Sequence, residues 1–201
     1  PNSDDVVLES AIMYYYQCSR EKAQEILENI LKKDTKSKEK MMYDIMHKDA
    51  RRELEQVSFS FQIPISLAVL THLTRHRMHA LLVPDFLPMW NMNNYITPES
   101  IKAKANDLYQ SAVRKNIEIK DKFLKMGVKE ADLVYFYLSN QMLNVITTMN
   151  ARNIQWVCRL RCCNKAQWQI RFIAKDIAKQ VAEVAPLIGK GLGPTCVTDR
   201  F

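Results

Sequence analysis

Val57-Ser58-Phe59-Ser60-Phe61-Gln62-Ile63, followed by Pro64, is the stretch on which the fold class turns. Apolar and polar residues alternate strictly through it, the period of a strand with one face buried and the other open to a site. Upstream the pattern is helical. Val7, Ile12, Tyr15, Ala23, Ile26, Leu27 and Ile30 recur at helical spacing and predict one long helix over 4–31. A lysine-rich connection over 32–40 and a second helix over 38–47 lead into the strand. Pro64 is expected to end that strand, and Ser66 to cap a helix over 67–77.

Downstream, residues 81–97 carry Pro84, Pro88 and three asparagines and read as an irregular segment with a short strand at most. A long loop inside a compact domain is more often functional than not. Pro98 and Glu99 open a helix to about residue 126, where Gly127 stops it. Another helix is expected over 129–139. The β-rich run Asn144-Val145-Ile146-Thr147-Thr148-Met149 predicts a second strand leading into Asn150-Ala151-Arg152. A last long helix carries the stripe Ile170, Ile173, Ala174, Ile177, Val181 and Val184. Gly189, Gly191, Gly193 and Pro194 then break the pattern into an irregular tail over 187–201. No repeat and no linker is visible, so the expectation is one α+β domain over 1–201.

The chain has 201 residues, 47% hydrophobic and 25% charged, which excludes a disordered tail, a collagen-like fibre and a low-complexity chain. No run approaches the ~18 uncharged apolar residues of a membrane span, and the first residues lack a signal peptide's basic and apolar regions. Only four glycines occur and Gly127 is the first, so no glycine-rich phosphate cradle exists upstream of it. A bound nucleotide would have to be held by side chains. The net charge of +7 favours anionic partners, although Lys32, Lys33, Lys36, Lys38 and Lys40 read as a solvated connection. Five cysteines without a CxxC spacing read as reduced thiols of an intracellular, cytoplasmic protein.

Three constellations could carry chemistry. Arg75-His76-Arg77 groups charge-assisted donors suited to phosphate, carboxylate or pyrimidine carbonyl oxygens, or else supplies cations to a helix C-terminus. His72, His76 and His79 would share one face if that helix continued, and with Asp85 could hold zinc or iron. Arg75 and Arg77 would set positive charge beside such a dication, so no metal is assigned. Third, Arg152, Arg159 and Arg161 stand in apolar company in a stretch without acids between Asp132 and Asp176. Buried arginines need a carboxylate or an anionic ligand. The missing acids favour a ligand over pairing with Glu53, Glu55 or another subunit.

In this order, these pieces resemble the flavin-dependent thymidylate synthases. The resemblance is strongest over 51–186 and rests on four blocks. Leu54-Glu55-Gln56-Val57-Ser58-Phe59-Ser60-Phe61 resembles the family's LEHxSFxF strand, and Arg75-His76-Arg77 the opening of its RHRxxSxNExSxRY signature. Thr147-Thr148-Met149-Asn150-Ala151-Arg152 resembles its NAR turn. Leu160-Arg161 with Ala166-Gln167-Trp168-Gln169-Ile170-Arg171 resembles its LR…AQWEIR helix. The resemblance implies a mixed sheet flanked by helices, a homotetramer holding FAD between subunits, and no cysteine nucleophile. It implies NADPH and methylenetetrahydrofolate as co-substrates in the methylation of C5 of dUMP. Flavin contacts would fall on Ser58, Arg75, His76, Arg77, Asn150 and Arg152. Arg161 would bind the uracil and assist ionisation at N3, because a cation beside the ring favours its deprotonated form. His72 and Gln167 would complete the substrate contacts.

The chain departs from the pattern after Arg77, where Ala80, Leu82, Val83, Asp85, Leu87 and Pro88 replace Ser, Asn, Glu, Ser, Arg and Tyr. His72 stands where a glutamine contacts dUMP, Val134 where an arginine is expected, Gln56 for a histidine and Trp156 for a flavin-contacting asparagine. Each lost charge-assisted bond forfeits about 1.5–3 kcal/mol. The cofactor half is thus expected to be kept and the substrate half rebuilt, with Leu81, Leu82, Val83, Phe86 and Leu87 lining an apolar pocket. The expected function is reductive methylation at C5 of a uracil nucleotide or nucleoside. The alternatives are a flavoprotein with a different redox reaction and a non-catalytic basic oligomer that binds nucleotides or nucleic acid. Neither a membrane nor a nucleic acid is the expected partner of the enzyme.

Overall fold

The computed structural model of the chain describes residues 2–31, 34–85 and 91–198. Three helices come first: α1 (Ser3–Tyr16), α2 (Arg20–Leu31) and α3 (Thr35–His47). The expected single helix over 4–31 is therefore two. Gln17 adopts a left-handed conformation (φ 49°) that closes α1. Ser19 then starts α2, its carbonyl accepting from Ala23 N at 3.0 Å. Helical periodicity persists across such a break because both pieces bury the same kind of face. Helix α3 begins earlier than expected, at Asp34, whose carboxylate accepts from Lys36 N at 2.9 Å.

The sheet has three strands, β1 (Ser58–Ser66), β2 (Ala80–Leu82) and β3 (Met142–Asn150), in the order β1-β3-β2. All run antiparallel. The pairing of β1 with β3 is bracketed by Ala151 N donating to Val57 O and Leu67 N donating to Gln141 O, both at 3.0 Å. Strand β1 does not stop at Pro64. It is an edge strand, where a residue lacking an N–H leaves no ladder bond unmade. Strand β3 is central and alternates as expected, with Leu143, Val145, Thr147 and Met149 buried.

Helix α4 (Leu67–Leu73) has the expected Ser66 cap but ends four residues short of 77. Thr74 Oγ1 donates to Leu70 O at 3.0 Å, a local bond that competes with further helix, so Arg75, His76 and Arg77 lie in the non-helical segment that follows. Helix α5 (Glu99–Lys125) ends as expected at Gly127 (φ 86°). The helix expected over 129–139 is a 3-10 turn, Glu130–Phe136. Helix α6 (Ala151–Arg161), which the strand pattern did not announce, starts directly after β3, and α7 (Trp168–Val184) carries the expected stripe. The tail expected to be irregular folds into α8 (Pro186–Lys190) and α9 (Thr195–Thr198). Asp4 holds it by accepting from Leu187 N and Ile188 N, each at 2.9 Å.

The chain divides into two compact units. The first comprises Pro1–Phe61, His76–Ala80 and Thr147–Phe201, and its core includes Leu8, Ile12, Met46, Leu54, Ile154, Ile170 and Ile188. The second comprises Gln62–Arg75 and Leu81–Ile146, with Ile65, Val69, Leu73, Val113 and Leu133 inside. Among the described residues no helix is long and apolar enough to cross a membrane.

Candidate active site

The first unit concentrates polar chemistry where β3 hands over to α6. Asn150 is extended and caps α6, its Oδ1 accepting from Asn153 N at 2.9 Å. The cap fixes the first turn and hence Arg152; one helix length later comes Arg161. At ~1.5 Å rise per residue the Cα atoms of the two arginines lie about 14 Å apart along the helix axis.

The segment His76–Ala80 is tied to this helix and strand at three points. Arg161 Nε donates to His76 Nε2 at 2.9 Å. Asn153 Nδ2 donates to the Met78 carbonyl. His79 Nδ1 and Thr147 Oγ1 are 2.6 Å apart, in a bond whose direction depends on the imidazole tautomer. Neither Asn153 nor Thr147 stands out in the sequence as a site residue. Thr147 could have been found as a polar residue at an inward position of a buried strand, which needs a partner.

Two arginines of the site differ electrically. Arg152 forms an ion pair with Glu55, which also accepts from Arg52 Nη1 at 3.0 Å. The Arg152 bond, followed by that of Arg52, holds the Glu55 carboxyl below the usual carboxylate range. Arg161 instead meets an imidazole. Burial above all, then the charge of Arg161 and the neighbouring His79, pushes the His76 pKa down to about 4. At neutral pH His76 is therefore uncharged and offers Nε2 as an acceptor. An imidazole acceptor orients a guanidinium without itself bringing a negative charge, whereas Glu55 sets a carboxylate against Arg152.

The other expected site residues scatter. Ser58 is exposed at the start of β1 in the first unit. Arg75 and Arg77 are exposed, and among the described residues neither has an ion pair or side-chain hydrogen bond. Gln167 caps α7, its Oε1 accepting from Ile170 N at 3.0 Å, which leaves its amide nitrogen as the group for a ligand. His72 lies in the last turn of α4, in the second unit. Since α4 ends at Leu73, His72, His76 and His79 do not share a helical face, and the metal geometry weighed for them is not formed. Among the described residues no group of three histidines, cysteines or acids could hold a metal. Leu81 is half-buried, while Leu82 and Val83 are exposed; Phe86, Leu87 and Pro88 lie outside the described residues, as do Lys32 and Lys33. Val134 and Trp156 are exposed too.

The family model described as thymidylate synthase complementing protein matches residues 1–187. A flavin-dependent thymidylate synthase of Sulfurisphaera tokodaii is 32% identical over 148 residues, which is 72% of this chain and 58% of that protein. One from Clostridium tetani is 28% identical over 98% of this chain and 85% of its own length. The chain thus spans less than two thirds of the first of these relatives. Among solved structures, the UMP/dUMP methylase PolB of Streptomyces cacaoi, bound with 5-Br dUMP, superposes with a TM-score of 0.73 at 15% identity, covering 93% of this chain and 88% of its own. The thymidylate synthase of Helicobacter pylori with FAD and dUMP gives 0.67 at 18%, covering 92% of each chain. At such identities these likenesses establish the fold. The match of the family model along nearly the whole chain establishes the lineage: this chain belongs to the thymidylate synthase complementing protein family.

Proposed function

We propose that the protein is an FAD-dependent enzyme of thymidylate synthase type that reductively methylates C5 of a uracil nucleotide or nucleoside. The observation that carries this reading is the Arg161–His76 bond. A neutral acceptor orients the Arg161 guanidinium without adding a negative charge, and a cation beside a uracil ring stabilises the anion formed when N3 loses its proton. Charge delocalised from that anion makes C5 nucleophilic toward a one-carbon electrophile. Gln167, through its amide nitrogen, is the donor assigned to a ring carbonyl, and His72 the further substrate contact.

The donor set fits a dinucleotide cofactor. Exposed Arg75 and Arg77, with no competing carboxylate among the described residues, suit a pyrophosphate, and no glycine loop is available for that task. Asn150, with its oxygen spent on the helix cap, has an amide N–H pair to give, and Ser58 a hydroxyl. His76 and Arg152 complete the proposed flavin contacts. When bound, the flavin would supply two-electron chemistry, passing reducing equivalents from NADPH to the one-carbon unit of methylenetetrahydrofolate. This chain's own part is to position the ring, stabilise its anion and hold the anionic cofactor. A homotetramer is proposed with it.

The test is direct. Purified protein should show flavin absorption bands that bleach with NADPH, and incubation with methylenetetrahydrofolate should convert dUMP, UMP or uridine to a product heavier by one methylene. A colourless protein that cannot be reconstituted with FAD, yet binds oligonucleotides, would replace this reading with the non-catalytic one.

A further inference from the structure

A cavity of about 540 Å³ opens in the first unit where α3 meets α8, lined by Lys36, Lys40, Tyr43, Met46, Leu187 and Gly191 among others. None of these residues is assigned above to flavin or substrate. The floor is apolar, with Met46 buried and Leu187 half-buried. Gly191 makes room for the thioether: a Cβ there would stand 2.3 Å from Met46 Sδ and 2.4 Å from its Cε. Tyr43 forms a wall, its ring stacked on that of His47 with centroids 3.9 Å apart.

Most polar groups of the lining already have partners. His47 Nδ1 and Nε2 face the carbonyls of Tyr43 at 2.8 Å and Thr198 at 3.3 Å. Lys190 of α8 and Glu39 of α3 form an ion pair at 2.7 Å. Lys36 and Lys40, by contrast, are exposed and have no ion pair among the described residues. They stand one helical turn apart on α3, where like charges repel and an anion between them would relieve the repulsion. Tyr43 and His47 continue the same stripe at i+7 and i+11 from Lys36, so one face of α3 runs from cations to rings over about 16 Å. Such a lining leaves the N–H and C=O groups of a polar heterocycle unpaired, and suits an aliphatic chain with an anionic head.

We propose that this pocket binds an amphipathic anion, a medium-length unbranched aliphatic chain ending in a carboxylate or a phosphate. The head lies between Lys36 and Lys40, and the chain runs past Tyr43 onto Met46 and Leu187. The proposal does not depend on the flavin reading.

Isothermal titration of the full chain with decanoate and with decyl phosphate, each below its micelle-forming concentration, distinguishes the two heads. At least one should bind at a single site per chain, and acetate, inorganic phosphate and uncharged decanol should each bind at least tenfold more weakly. Shortening the chain by two methylenes should weaken binding about tenfold, since each buried methylene is worth about fourfold. Lys36→Ala combined with Lys40→Ala, both exposed, should weaken binding tenfold or more with the fold intact. Lys122→Ala combined with Lys125→Ala, on α5, should not. Saturation with FAD and dUMP should leave the affinity unchanged, which separates this pocket from the site proposed above. No binding of either anion, decanol binding as tightly as the anions, full affinity in the Lys36–Lys40 variant, or displacement by FAD and dUMP would overturn the proposal.

Discussion

The His76 Nε2 atom has one lone pair, and Arg161 uses it. Protonating His76 would destroy that bond and place two cations side by side, so an NMR titration should find its midpoint near 4. Arg161→Ala should raise the midpoint but keep it below 6.5, since burial is the larger cause. The unfolded chain takes up this proton first as pH falls from 6.5 toward 4, so stability declines across that window and the loss is complete below it. Glu55 acts in the same direction lower down. Its depressed pKa contributes stability above the ordinary carboxylate range that is lost as pH falls through the lowered value. Arg152 is 36% exposed, so Glu55→Gln should cost only about 0.2–1 kcal/mol at neutral pH in urea titrations, and nothing once Glu55 is protonated.

At the scale of elements, caps and edges decide what periodicity leaves open. Asn150→Ala removes the α6 cap and should cost ~1 kcal/mol. It should also lower flavin content, because the same cap aims Arg152. Ser66→Ala should cost a similar ~1 kcal/mol but leave flavin content unchanged. Pro64 was expected to end β1 and does not, because a proline's meaning depends on whether its strand is at an edge. Alternation at 57–63 and 144–149 was legible because each strand has one buried face, and the α7 stripe for the same reason in helical period. The break at Gln17 was not, since no glycine or proline marks it and one left-handed residue suffices.

At the scale of the molecule, the first unit joins the two ends of the chain. Buried Asp4 accepts from two backbone N–H groups of α8, 183 and 184 positions away. Asp4→Ala strands those donors and should cost ~1–3 kcal/mol, read as a lower urea midpoint. Packing of α8 on α7 is equally close. A Cβ on Gly189 would stand 2.4 Å from the Ala182 Cβ and 2.5 Å from its Cα, so Gly189→Ala should destabilise by about 1–3 kcal/mol through overpacking. Both contacts explain why a glycine-rich tail is helical: its glycines serve close approach rather than freedom.

Residue order alone was enough for the α+β class, for both long strands and for the family resemblance, since alternation, helical stripes and the four motif blocks are local patterns. Local pattern also marked Arg75, His76, Arg77, Arg152 and Arg161 as cations in unusual company. What Arg152 and Arg161 meet depended on tertiary structure, because Glu55 and His76 lie 97 and 85 positions from them. Burial and the approach of a distant cation, neither written in any short stretch of chain, make one arginine's partner a neutral base and leave the other's an anion.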